Sequence, residues 1–210
     1  MPEHRLDAHC RALARCRRCG HPSGVVPIVS RARSPKVMLV GQAPGKVEIT
    51  GGKPFAGRAG RTLFRWLERT GLDEESARSR IYIAAITRCF PGPSPSGRGD
   101  RVPSRAEQDE CAVWLDAELQ IIRPALLIPV GRLAIERFLP RLPLDQLIGR
   151  VHEVGHAGGS SRTIPLPHPS GASSWIHQGD HPRLLDAALR AIARELRALG
   201  VVGNRSRSVA

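Results

Sequence analysis

Four short runs of consecutive apolar or β-branched positions punctuate the chain, at residues 37–40, 81–86, 126–130 and 163–166. Their length and lack of polar alternation are those of strands buried on both faces. Between and beyond them, apolar positions recur at helical spacing over 59–70, 104–122, 132–139 and 182–199. Residues 3–18 set Leu6, Ala8, Ala12, Leu13 and Ala14 against charged positions, a short amphipathic helix that Cys19-Gly20 ends. Strands alternating with helices predict an α/β fold: a three-layer α/β/α sandwich with a central four-stranded, mainly parallel sheet. One domain is expected over 1–202, with connections at 20–35 and 92–103 and a disordered basic tail at 203–210.

In an open parallel sheet, ligands bind outside the carboxyl ends of the strands. Three segments fall there: the glycine- and proline-rich stretch 40–60, residues 84–91, and Pro167-His168-Pro169-Ser170-Gly171. Gly41-Gln42-Ala43-Pro44-Gly45-Lys46-Val47 is one residue short of a phosphate-binding P-loop and ends in valine, and it lacks the glycine spacing of a dinucleotide fingerprint. What remains is bare backbone with an amide (Gln42), a carboxylate (Glu48) and an aromatic plate (Phe55) set into it, a combination able to read a base by face and edge. The alternative makes Phe55 a core side chain and Glu48 a solvated loop residue. His168, stiffened between prolines, has the chemistry to donate to an oxygen that gains negative charge.

Lysine and arginine (32) exceed aspartate and glutamate (19), a net charge of +13 that makes a polyanion, nucleic acid first, the expected partner. No stretch approaches the ~20 apolar residues of a membrane span, and Met1-Pro2-Glu3-His4-Arg5 lacks the apolar segment of a secretory signal. A cytoplasmic protein is expected, without membrane contact. Its five cysteines are then better read as metal ligands or buried thiols than as disulfides. Cys16-Arg17-Arg18-Cys19 is a C-x2-C pair, with Cys89 and Cys111 far downstream. Four thiolates suit zinc or an iron–sulfur cluster, and the absence of a second close pair argues against a zinc ribbon. Cys10 is left over.

The combination of C-x2-C, strand-G-x-x-P-G-x-x-E, G-x-P-F-x-G-x-A-G, two further cysteines and a late H-P-S resembles the uracil-DNA glycosylase superfamily, most closely its iron–sulfur (family 4-like) branch. The resemblance runs from about Cys10 to Leu199. It implies a [4Fe-4S] cluster on Cys16, Cys19, Cys89 and Cys111, and excision of uracil from DNA, duplex or single-stranded, by a monomeric DNA repair enzyme that flips the base. Other deaminated bases lie within the expected range. The resemblance assigns catalysis to Gln42, Glu48 and His168. It assigns the base pocket to Gly41, Ala43, Phe55, Ala85 and Ser170; the basic residues beside the loop, Lys46, Lys53 and Arg58, and Trp175 are the expected DNA contacts.

The chain departs from the branch at three places. Gln42 stands where glutamate is usual, and Ala85 where an asparagine reads the uracil edge. Gly171, Ala172, Ser173 and Ser174 replace the side chain that fills the gap left by the flipped base, so Trp175 is the candidate wedge, with core packing as its alternative. The lysines number three, Lys36, Lys46 and Lys53, and a strand-cutting lyase would need an amine nucleophile, so a monofunctional glycosylase is expected. A non-turnover binder of uracil or abasic sites, and an iron–sulfur scaffold protein, are the competing readings.

Overall fold

The computed structural model describes residues 2–19, 25–96, 99–170 and 175–203. Gly20, Gly97, Arg98, the wedge segment 171–174 and tail residues 204–210 lie outside the described residues. In chain order the elements are α1 (Pro2–Ala14), β1 (Val37–Gly41), α2 (Lys46–Gly51), α3 (Arg58–Glu68), α4 (Glu74–Arg80), β2 (Ile81–Ala85), α5 (Arg105–Ile122), β3 (Leu126–Pro129), α6 (Arg132–Phe138), α7 (Leu144–Leu147), β4 (His152–His156), β5 (Gly159–Thr163), a 3-10 turn (Trp175–His177) and α8 (His181–Ala198).

The strands order as β2-β1-β3-β5-β4, parallel except for the β4–β5 hairpin at the edge. The sheet therefore has five strands, not the expected four. The apolar run at 163–166 is the extended continuation of β5 beside β3, bridging Val130 to Leu166. The missed strand, His152-Glu153-Val154-Gly155-His156, buries Val154 alone, because it lies at an edge with little to cover it.

Alternation along the central strands builds the layers. Val37, Leu39, Ile81, Ile83, Leu126 and Ile128 point to one face, where Leu63, Phe64 and Leu67 of α3 and Leu189, Ile192 and Leu196 of α8 cover them. Met38, Val40, Tyr82, Ala84 and Leu127 point to the other, covered by Leu6, Leu115, Leu119 and Ala134. Residues 28–33 run along the open side of β2: Ile28 N donates to Arg88 O, and Ser30 Oγ accepts from Ile83 N. Among the described residues no helix is long and apolar enough to cross a membrane.

Candidate active site and a cysteine-lined cavity

β1, β2 and β3 all end on one rim, and the candidate base pocket is built there. β1 stops at Gly41, whose carbonyl accepts from Ile86 N, while Gln42 O accepts from Thr87 N, so the chain after β1 is sewn to the chain after β2. The Gln42 amide is half-exposed and makes no hydrogen bond with a described residue. The Phe55 ring lies over Gly41: a Cβ there would stand 3.0 Å from Phe55 Cζ, so only glycine admits the ring at this distance. Ala85, the last residue of β2, is half-buried on the same rim.

Phe55 sits at φ 51°, a left-handed conformation a non-glycine residue adopts only when its surroundings impose it. Arg78 does the imposing. Its Nη1 donates to Pro54 O at 2.7 Å, its Nη2 to Phe55 O at 3.0 Å, and its Nε to Glu74 at 2.8 Å, while the guanidinium stacks 4.3 Å from the centre of Phe64. Glu48 is buried, and both its oxygens serve the backbone: Oε2 accepts from Gly45 N at 2.9 Å and Oε1 from Gly57 N at 3.1 Å. This carboxylate ties both ends of the loop that carries Phe55. Asp100, from the distant 92–103 loop, lies against the same turn, its Oδ2 2.8 Å from where a Cβ on Gly45 would stand, and burial raises its pKa.

His168 lies beyond Leu166 with its ring against Gly131, at the end of β3. Ser170 N donates to His168 Nδ1 at 3.2 Å, and burial lowers the imidazole pKa below its ordinary 6.5. The ring is thus neutral at pH 7, with Nδ1 the acceptor and the proton on Nε2. Lys46, Lys53 and Arg58 are exposed beside the loop, with Asp100 within electrostatic reach of Lys46. Trp175 is half-buried; its ring stacks on His181 at 4.1 Å and packs against the core.

Cys16, Cys19, Cys89 and Cys111 line one cavity of roughly 270 Å³, walled also by Leu13, Thr87, Arg88 and Trp114. As free thiols Cys89 and Cys111 are held protonated: burial, reinforced by the neighbouring cysteines, pushes Cys89 up to about 12, and burial pushes Cys111 up to about 11. Donors nonetheless point at the sulfurs. Trp114 Nε1 approaches Cys16 Sγ at 3.3 Å, and the Arg88 backbone N–H lies near enough to Cys111 to favour its thiolate. Cys10 stands apart against Tyr82 Oη, at 3.6 Å. No three of the described His, Cys, Asp or Glu side chains are grouped to hold a single metal ion.

Arg78, Asp100, Arg88 and Glu118 escaped the sequence reading. Glu74 and Arg78 stand four positions apart, a spacing that in sequence is indistinguishable from that of any surface helix pair. Glu118 did leave a signal, a carboxylate on the apolar stripe Cys111, Leu115, Leu119 of α5.

A family model described as the uracil DNA glycosylase superfamily matches residues 29–193. The chain is 30% identical to a type-4 uracil-DNA glycosylase of Archaeoglobus fulgidus, over 79% of this chain and 81% of that protein. It is 30% identical to one of Thermotoga maritima, over 64% of this chain and 65% of that protein. To one of Saccharolobus solfataricus it is 27% identical, over 80% of this chain and 76% of the relative.

Proposed function

This chain belongs to the uracil DNA glycosylase superfamily, and from that premise we propose that it is a monofunctional DNA repair glycosylase hydrolysing the N-glycosidic bond of uracil in DNA, leaving an abasic site. The observation that carries this reading is His168: neutral, its Nδ1 taken by Ser170 N–H, its Nε2–H left to donate.

Lys46, Lys53 and Arg58 contact phosphates around the loop, and the nucleotide rotates out of the stack at a cost of a few kcal/mol, less at a U·G mismatch. Phe55 stacks on the extruded base over Gly41. As the glycosidic bond breaks, its electron pair leaves with the base and negative charge grows on the carbonyl oxygen. His168 Nε2–H donates there, an interaction worth about 2.7–4 kcal/mol by analogy with other oxyanion donors. The sugar left behind is cation-like, so water adds without a strong base. The Gln42 carbonyl orients that water, whose proton passes to solvent or the departing base. Glu48 acts by position, holding the loop. Gly41, Ala43, Ala85 and the Ser170 backbone bound the pocket, and Trp175 is the candidate to fill the gap left by the base.

A [4Fe-4S] cluster on Cys16, Cys19, Cys89 and Cys111 accords with the type-4 names of the relatives and with the cavity. Four sulfurs spread around roughly 270 Å³ suit a group larger than one ion. All three buried side-chain polar atoms without a partner among the described residues, Thr87 Oγ1, Arg88 Nε and Arg88 Nη1, belong to residues of its wall. When bound, the cluster supplies covalent ties between the end of α1, the segment after β2, and α5. Cys16→Ser should lower both iron content and melting temperature.

The decisive test incubates the protein with a labelled duplex carrying one uracil, then alkali, with Gln42→Ala and His168→Ala alongside. Cleavage by wild type that falls about 10²–10³-fold in folded His168→Ala supports the reading. Tight binding of the uracil strand without cleavage would replace it with that of a non-turnover binder.

A further inference from the structure

We propose that the side chains of Arg88 and Thr87 are hydrogen-bond donors to the iron–sulfur cluster and that Arg88, balanced by Glu118, sets its charge environment; this rests on the cluster assignment above. Arg88 is the largest fully buried side chain among the described residues, and a guanidinium withdrawn from water is retained only where its N–H groups and charge are answered. Its Nη2 bonds Glu118 Oε2. Nε and Nη1 have no partner.

The deficit lies on one side of the pair. Glu118 is saturated: beyond Arg88, its Oε1 accepts from Tyr82 Oη at 2.7 Å and faces His9 Nε2 at 3.3 Å. Arg88, by contrast, lines the four-cysteine cavity, its guanidinium within electrostatic reach of Cys111. Thr87, whose Oγ1 is also buried and unpaired, lines the same cavity. Four thiolates on an oxidised four-iron, four-sulfide core make a doubly negative group with acceptors on every sulfur. Such a group would offer acceptors for all three orphaned atoms. Trp114, which already donates to Cys16, packs edge-on against His9 at 5.3 Å, so the network touches the cavity from two directions.

Hydrogen bonds to cluster sulfur favour the reduced, more negative state and raise the reduction potential. The test is the midpoint potential of anaerobically purified protein, with resonance Raman spectra of the Fe–S stretches in H2O and D2O. Arg88→Met combined with Glu118→Gln removes one positive and one negative charge, leaving the net charge unchanged. The expected result is a more negative potential and a smaller deuterium shift. Thr87→Val, nearly isosteric, should move the potential the same way by less. Glu118→Gln alone leaves the guanidinium unbalanced beside the cluster and should move it positive.

A double variant and Thr87→Val that keep the wild-type potential and deuterium shift would overturn the proposal, making Arg88–Glu118 a core ion pair and nothing more. So would a negative or null shift in Glu118→Gln, which stays informative if the double variant does not fold. Wild-type protein without iron or sulfide would remove the cluster assignment itself, a failure distinct from unchanged variants of an iron-containing protein.

Discussion

Gly60→Ala puts two physical effects in direct opposition. Gly60 lies in α3, where alanine in place of glycine should stabilise by about 1 kcal/mol on helix propensity alone. Yet its Cβ would land 1.9 Å from Phe55 O and 2.6 Å from the carbonyl carbon. To restore even the tightest ordinary separation, the carbonyl must retreat by at least about 1.1 Å. That movement breaks the 3.0 Å bond from Arg78 Nη2, a charge-assisted interaction worth about 1.5–3 kcal/mol, and releases Phe55 from its left-handed conformation. The steric term wins: net stability should fall by about 0.5–2 kcal/mol. Excision should fall by about 10²-fold, the usual consequence of moving a substrate-positioning group by 1 Å. Single-turnover cleavage of a uracil duplex and urea unfolding measure the two. Gly52→Ala is the control, because Gly52 has φ 61° but nothing within 4 Å of its Cβ position. It should lose about 1 kcal/mol of stability and keep wild-type excision. If Gly60→Ala proves more stable than wild type and cleaves at its rate, the account of how Phe55 is held is wrong.

Three further outcomes follow from the site. Long-range 1H–15N NMR should find neutral His168 protonated on Nε2 and titrating below 6.5. With the folded pKa below the unfolded one, its stabilising effect is complete above pH 6.5 and is lost as pH falls through the folded value, so the stability gap to His168→Gln should narrow there; an Nδ1–H tautomer would contradict the assigned role. Glu48→Gln turns one acceptor into a donor facing Gly45 N or Gly57 N, and thermal unfolding should show a loss of about 1–3 kcal/mol, whereas unchanged stability would mean the loop is held by something else. Ala85→Asn adds an edge-reading amide to the rim, and the kcat/KM ratio of uracil over hypoxanthine should rise about tenfold, the equivalent of one good hydrogen bond; an unchanged ratio would place Ala85 outside the pocket.

Much of the framework was readable without coordinates. The runs at 37–40, 81–86 and 126–130 are β1, β2 and β3 to within a residue or so, and the long helices fall within two residues of their expected ends, save α1, which stops at Ala14. What escaped was short or polar. The six-residue α2 starts on a glycine loop and α4 is built from Glu74-Glu75-Ser76-Ala77-Arg78-Ser79-Arg80, burying Ala77 alone, so neither shows an apolar stripe. At the site, residue types pointed to Phe55, His168 and the cysteines. Glu48 was read as a carboxylate for chemistry because a sequence does not show that two backbone amides, Gly45 N and Gly57 N, converge on it.

Apolarity and period are properties of neighbours along the chain, and they alone determined which segments are the buried central strands and which are the long helices. Which polar atoms meet is a property of neighbours in space. Arg78 reaches Phe55 across 23 positions, Arg88 reaches Glu118 across 30, and Trp114 reaches Cys16 across 98. No local pattern encodes those encounters, because a hydrogen bond forms over about 3 Å only after the packed sheet and helices have brought both partners within reach.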